Sequence, residues 1–315
     1  IIFKSVSLFI FGFILVYGFI LSSKVNCDHL SNRITIERGS TVEDVSIILR
    51  NNLCLNSILF KIAMKITFNE KKIKYGRYDF KSVNNMRDVI ELITSIPNDR
   101  TRVTIYEGFR MQEIAKLLSN KMNLDVERFV SLCYDKEFMK SLDLYNISSL
   151  EGYLYPDTYI FLNTFTEKDI INIMVKQFYY NFNEYVNNES SLNMHQIVTL
   201  ASIIQGEAMY EDEMKTISSV YHNRIKKDML LQADPTIQYL MPKQKKRLLY
   251  KDTQIDNEYN TYIYKGLPPG PINSPGIDAI IAASSPIETT YLYFVANRNG
   301  RHIFNETYKG HLRSK

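Results

Sequence analysis

Nineteen consecutive uncharged residues, Ser5 to Ser23, constrain this chain more than any other feature. At ~1.5 Å of rise each they would reach about 28 Å as a helix, close to the thickness of a bilayer core. Residues 1–23 hold one charge, Lys4. A cleaved signal peptide has a shorter apolar region and small residues at its cut site. Here the run ends Leu21-Ser22-Ser23-Lys24-Val25-Asn26-Cys27, with no Ala-x-Ala and a poor context for lipid attachment at Cys27. The reading is an uncleaved anchor over 1–23, in contact with inner-membrane lipid through residues 5–23. The chain does not begin with Met, and Lys4 favours a cytoplasmic N-terminus with the remainder outside.

Composition bounds that remainder. About 290 residues follow, enough for one large or two ordinary domains. The net charge of +4 falls to +3 without Lys4, so no strong field argues for a nucleic-acid partner. The cluster Lys243, Lys245, Lys246, Arg247 and Lys251 reads as a solvated loop, with acidic groups on a substrate or anionic lipid as the alternative. Three distant cysteines and five scattered histidines offer no metal or redox spacing, so no metal and no cofactor is expected. Cys54 and Cys133 sit in helical patterns and read as buried thiols. With 22 Tyr and no Trp, a sugar-stacking surface would be built from tyrosine or phenylalanine.

An internal echo follows the apolar run. Ile34-Thr35-Ile36-Glu37-Arg38-Gly39 leads into Val42, Val45, Ile48 and Leu49. Val103-Thr104-Ile105-Tyr106-Glu107-Gly108 leads into Met111, Ile114, Leu117 and Leu118, at a constant offset of 69 residues. Each copy predicts a short strand, a glycine turn and an amphipathic helix. Ser40 and Glu43 have capping-box spacing in the first copy; Phe109 and Arg110 replace the cap in the second. A strand over 75–80, a helix over 86–93 and a turn at Pro97-Asn98-Asp99 complete a small α+β module over 33–97, after a linker over 24–32. Such a module either binds cell wall or serves as a spacer. Residues 101–315 form the second domain, and 101–150 repeat the strand–turn–helix unit.

Within that second domain, 111–143 and 167–185 read as helical. A helix beginning near Asn193 carries Ile197, Leu200, Ala201, Ile204 and Ala208 on one apolar face, and Glu207 falls on the same face. Desolvation penalises the charged form of a carboxyl among aliphatic groups, which keeps a general acid protonated near neutral pH. The competing reading is a surface glutamate beside the acidic run Glu211-Asp212-Glu213. Four prolines and three glycines between Gly266 and Gly276 force a fixed loop that is neither helix nor strand. Rigid irregular loops of that kind commonly shape a site.

These residues carry a resemblance. Leu150-Glu-Gly-Tyr-Leu-Tyr-Pro-Asp-Thr-Tyr159, Ala201-Ser-Ile-Ile-Gln-Gly-Glu207, Asn223-Arg224 and Leu231-Gln-Ala-Asp-Pro-Thr236 are similar to the motifs of the endolytic murein transglycosylase, or YceG-like, family. Tyr259-Asn-Thr-Tyr262, Gly266-Leu-Pro-Pro-Gly270, Ser274-Pro-Gly276, Tyr291-Leu-Tyr-Phe-Val-Ala296 and a tail with His302, Phe304 and Asn305 continue it in order. The resemblance implies an α+β protein: a transmembrane helix, a LysM-like module over 33–97, and a mixed α+β catalytic domain with its active-site Glu on a helix. It also implies a periplasmic domain that cuts nascent peptidoglycan glycan strands, with Glu207 as catalytic acid/base and peptidoglycan synthases as partners. Two departures stand out. Gln205-Gly206 replaces charged residues of many relatives, which predicts a tight or kinked turn, and the tail after His311 is short, which bears only on a final helix.

A lone acid suffices for a lytic transglycosylase, because the 6-hydroxyl of the muramic acid attacks its own anomeric carbon and leaves a 1,6-anhydro end. A hydrolytic muramidase needs a second carboxylate. Asp157 and Asp234 are the candidates, although aspartate beside proline also fixes turns. Glu151, Tyr159, Asn223, Gln232, Asp234, Thr236, Asn260 and Tyr262 are the candidate substrate-binding residues, each weighed against a role in satisfying loop backbone. Three readings stand: lytic enzyme, hydrolase on the same scaffold, and non-catalytic wall-binding protein.

Overall fold

The computed structural model describes residues 12, 17–25, 33–37, 39–95, 100–122, 124–186 and 190–314. The chain divides into two units, residues 1–101 with 160–166 and residues 102–159 with 167–315. Helices and two-stranded sheets occur together along the chain, an α+β organisation.

In the first unit, β1 (Arg33–Ile36) buries alternate residues and pairs antiparallel with β2 (Gly76–Asp79), placing Ile34 opposite Tyr78. Helices α1 (Val42–Leu53) and α2 (Ser57–Ile66) lie between the strands in sequence, and α3 (Met86–Thr94) follows. Their apolar faces meet in a core that includes Ile36, Val45, Leu49, Phe60, Met64, Tyr78, Val89 and Ile93. The capping box of α1 is Thr41 with Asp44, not Ser40 with Glu43. The reason is local. Ser40 donates both its N–H and its hydroxyl back to the Glu37 carbonyl, closing the glycine turn, so the cap passes to the next residue. Gly76 has φ +142°, and a Cβ there would lie 2.1 Å from the Thr164 carbonyl oxygen. Only glycine lets segment 160–166 approach so closely.

Of the expected anchor, residues 5–11 and 13–16 lie outside the described residues. Ile20 and Leu21 near its end are buried in this unit's core. Met86 donates its N–H to the Ser23 carbonyl, and Val25 donates to that of Asn84, so the chain is tied down where the linker was expected to begin. The rest of the linker, from residue 26, is outside the description. No helix of the described residues is long and apolar enough to cross a membrane. Cys54 corrects the expectation of a buried thiol: it caps the exposed end of α1 at φ 51° and is disulfide-bonded. Cys133 is a buried free thiol, and burial pushes its pKa above the usual thiol range.

Strands β3 (Arg100–Thr104) and β4 (Thr158–Leu162) pair, and the division between the units falls within both. The stretch expected to be helical over 111–143 is three helices, α4 (Met111–Met122), α5 (Val126–Cys133) and α6 (Lys136–Ser141). Asp125 and Asp135 interrupt it, because each side chain accepts the first free N–H groups of the helix that follows. Next come α7 (Glu167–Tyr185), α8 (Met194–Glu207), α9 (Met214–Lys226), α10 (Asp234–Leu240) and α11 (Ile277–Ser284). A hairpin of β5 (Tyr293–Ala296) and β6 (His302–Asn305) leads to α12 (Tyr308–Ser314).

Helix α8 is the centre of this unit. Every residue from Ile197 to Ile204 is buried, and α9, α10 and α11 all pack on it. Its start is fixed by a capping box of Asn193 and Gln196. The proline-rich loop runs along it and is buried from Gly270 to Gly276. Buried loop backbone must find partners, and α8 supplies them. Ser202 Oγ accepts the Ile272 N–H at 3.0 Å, and Gln205 Oε1 accepts the Gly276 N–H at 2.9 Å. At the other end, His195 Nε2 meets the Pro269 carbonyl at 2.8 Å. Since a carbonyl only accepts, Nε2 carries the proton and Nδ1 takes the Tyr153 hydroxyl at 2.7 Å.

Candidate active site

Glu207 is the last residue of α8, where the helix leaves the core and meets open space. It lines a cavity of about 470 Å³ with Arg224, Gln232, Asp234, Tyr262, Tyr293 and His302. It also lines a second cavity of about 350 Å³ with Arg110, Gln205, Gln238, Gln244 and Asn273. Asp234 borders both. The two spaces therefore adjoin at a pair of carboxylates.

Desolvation pushes the Glu207 carboxyl up to about 7. Tyr221 opposes this by donating its hydroxyl to Oε1 at 2.9 Å; the charge of Asp234 raises the value further, and Arg224 and the Asp234 N–H lower it. Tyr221 sits on the inward face of α9 and meets Phe294 edge-on at 5.9 Å, so its ring is fixed by packing. Asp234 Oδ1 in turn accepts the Tyr262 hydroxyl at 2.5 Å. Burial first, then this bond and the charge of Asp234, push the Tyr262 phenol above its ordinary pKa. The arrangement offers one proton-loaded carboxyl near neutral pH beside a second carboxylate bonded to a tyrosine.

Gly206 does not kink α8, which stays helical through Glu207. Its role is clearance: a Cβ there would come within 2.7 Å of Pro235 Cβ, in the first turn of α10. The missing side chain brings Asp234, next to that proline, up to Glu207.

The candidate residues separate into two groups. Gln232, Asp234 and Tyr262 share a cavity with Glu207. Gln232 holds the left-handed backbone conformation, φ 50°, with its N–H donated to the Thr261 carbonyl. The other five hold the scaffold. Glu151 is buried and accepts the Met111 N–H at 2.8 Å, capping α4 from a distance; burial raises its pKa to about 7. Tyr159 donates to the Tyr155 carbonyl, and Asn223 donates to the carbonyls of Thr289 and Tyr291. Thr236 and Asn260 are fully buried. Thr236 donates to Ala233, and Asn260 donates to the Thr253 and Ile255 carbonyls while accepting the Tyr262 N–H. Every one is spent on backbone within the protein. Asp157 borders neither cavity; its carboxylate accepts from Thr158 N–H and Gln177.

Tyr221, Arg224, Glu213 and His302 were not among the candidate site residues. Arg224 lies over the Tyr293 ring and donates to the carbonyls of Leu230, Leu231 and Leu292. With Asn223 it straps the approach to the β5–β6 hairpin against α9. Glu213, in the acidic run Glu211-Asp212-Glu213, is buried and accepts from the His302 backbone N–H, with His302 Nδ1 2.9 Å from its other oxygen. The Asn223-Arg224 pair, one of the motifs that carry the resemblance, was the available signal for the strap; nothing in the spacing marks Glu213 as different from Glu211 and Asp212. Among the described residues no cluster of side chains could hold a metal ion.

Residues 34–315 match the YceG-like family. The chain is 33% identical over 331 residues to an endolytic murein transglycosylase of Bacillus subtilis (strain 168), covering 97% of this chain and 90% of that one. It is 27% identical over 317 residues to an endolytic murein transglycosylase of Streptococcus pneumoniae serotype 2, covering 89% of this chain and 57%, less than two thirds, of that protein. The crystal structure of a YceG-like protein from Listeria monocytogenes superposes with a TM-score of 0.63 at 31% identity, over 90% of this chain and 98% of that one.

Proposed function

The chain belongs to the YceG-like family, and from that premise we propose that it is an endolytic lytic transglycosylase that cuts peptidoglycan glycan strands. Glu207 is its catalytic acid/base. As the acid it protonates the glycosidic oxygen between muramic acid and the next glucosamine, and the bond from the anomeric carbon to that oxygen breaks. As the carboxylate it then takes the proton from the 6-hydroxyl as that oxygen bonds to the anomeric carbon. The products are a 1,6-anhydro end and a free 4-hydroxyl. Intramolecular attack supplies the high effective concentration that a bound water would lack. One observation carries this reading: Glu207 sits where two cavities adjoin, with its pKa raised to about 7. Tyr221 and the Asp234 N–H each donate to this carboxyl and fix it in place, and its pKa stays raised against their pull.

Asp234 keeps a hydrolase reading in play, because it borders both cavities beside Glu207. Mass spectrometry of digested strands decides between them. Anhydro ends that vanish in Glu207→Gln support the lytic reading; reducing ends that vanish in Asp234→Asn would replace it with the hydrolase.

The finer assignments belong to the same proposal. Residues 33–97 act as a LysM-like wall-binding module, and residues 5–23 anchor the chain with its catalytic unit on the outer side of the plasma membrane. The disulfide at Cys54 supports an oxidising compartment. In that position the enzyme would act on nascent strands, beside peptidoglycan synthases, and help to terminate elongation.

A further inference from the structure

The smaller cavity at Glu207 is walled by primary amides. Gln205, Gln238, Gln244 and Asn273 all line it, with Arg110. Asn273, in the buried proline-rich loop, is 7% exposed; its Nδ2 donates to the Ser202 carbonyl, while its Oδ1 has no hydrogen-bond partner among the described residues. Buried polar atoms without partners are rare enough to require an explanation.

At the rim of this cavity lies a basic segment. Gln244 stands between Lys243 and Lys245, and Lys246, Arg247 and Lys251 follow with no acidic residue before Asp252. The segment is held in place rather than loose. Gln238 donates its amide to the Lys245 carbonyl at 2.7 Å and accepts the Lys245 N–H at 2.9 Å. Lys245 also pairs with Asp252 at 2.7 Å. The segment is thereby clamped to α10, the helix that starts at Asp234. Lys243, Lys246 and Arg247 are exposed and make no ion pair among the described residues.

We infer that this cavity and its basic rim form a subsite for a peptide-bearing sugar of the strand, in which the rim cations take carboxylates of the stem peptide. The inference rests on the glycan-cutting reading above. N-acetylated sugars present acetamido and hydroxyl groups, which amide side chains satisfy from both sides of a hydrogen bond. Gln238 is already given to Lys245 and Gln205 Oε1 to Gly276, so Gln244 and Asn273 Oδ1 are the amide groups that face such a partner. The rings themselves carry no charge; the peptide attached to muramic acid does. Cations carried by the segment that reaches a sugar-sized space through Gln244 therefore match a strand that still bears its peptides better than one stripped of them. An anionic membrane would require the cations but no amide cavity behind them.

The test uses the full chain in the Glu207→Gln form, so that binding is read without cleavage. Affinity is measured for glycan strands carrying stem peptides and for the same strands stripped by an amidase. The triple variant Lys243→Gln, Lys246→Gln, Arg247→Gln is compared in the same background; these side chains are exposed, and Lys245 is left to its clamp. The preference for peptide-bearing strands should fall by about tenfold, since exposed pairs contribute modestly each. Added salt should erode the preference in the parent and not in the triple variant. An unchanged ratio, or equal losses on both strands, overturns the inference. So does loss of binding to vesicles of equal parts phosphatidylglycerol and phosphatidylethanolamine with the strand ratio intact, which would assign the segment to a membrane. Failure of the wild type to cut strands would count against the activity alone, because the affinity ratio is read separately.

Discussion

A carboxyl that must hold a proton and then give it up is tuned by its neighbours, and at Glu207 they pull in both directions. Burial lifts its pKa to about 7, from 4.5 for a free glutamate, while Tyr221 pulls it down. Activity that needs the protonated form should decline as pH rises through about 7. Tyr221→Phe removes the lowering bond and keeps the ring against Phe294, so that decline should move to higher pH; a pH–rate profile that stays put or moves down would exclude the role. Stability is linked to the same proton. A raised folded pKa gives a contribution fully present below 4.5 and lost as pH climbs through about 7. Glu207→Gln cannot ionise, so its melting temperature relative to the wild type should rise between pH 5 and pH 8. Its activity should fall roughly 100- to 10,000-fold, measured as anhydro ends released. At this scale the sequence exposes a carboxylate on an apolar helical face, because spacing alone puts it there. It does not expose Tyr221, which reads as one more core residue, or tell Asn260 from Gln232. An amide that lines a cavity and an amide bonded to backbone are the same residue until burial separates them.

Elements in this protein are placed by close approach as much as by apolar faces. Gly206→Ala would force α10 away from α8 by putting a methyl 2.7 Å from Pro235. Overpacking of this kind costs about 1–3 kcal/mol, partly offset by the ~1 kcal/mol that alanine gains in a helix. Activity should drop more than the melting temperature does, since Asp234 retreats from Glu207; the reverse ranking would count against the clearance role. Ser202→Ala should strand the Ile272 N–H in the buried loop and cost about 1–3 kcal/mol. In a unit of this size that is about 2–4 °C per kcal/mol in a thermal melt. Both strand–turn–helix copies were legible because period-2 and period-3.6 patterns are local. The caps were less so. Ser40 was claimed by its own turn, and the start of α4 is capped by Glu151, 40 residues away, where no local pattern could point.

For the whole molecule, the chain visits the first unit twice, since segment 160–166 returns to it from within the second. Excision of 33–97 should weaken action on long strands more than on short fragments, read as the ratio of kcat/KM on the two. A ratio that did not change would reduce this unit to a spacer. A thermal melt belongs beside that measurement, because Thr164 loses its neighbours Gly76 and Arg77 in the excised protein. The return of 160–166 to the first unit was not legible, because a seven-residue segment carries no pattern that names its neighbours. The junction of two spaces at Glu207 also sets what kind of digest to expect. A cutter that grips on both sides of a bond has no need of a chain end, so early scissions fall along the length of the polymer. Mean chain length then collapses while monomer-sized pieces are still scarce. A time course of size distributions would show a broad band sliding downward, where an end-nibbling enzyme would leave long polymers standing beside a growing peak of the smallest product.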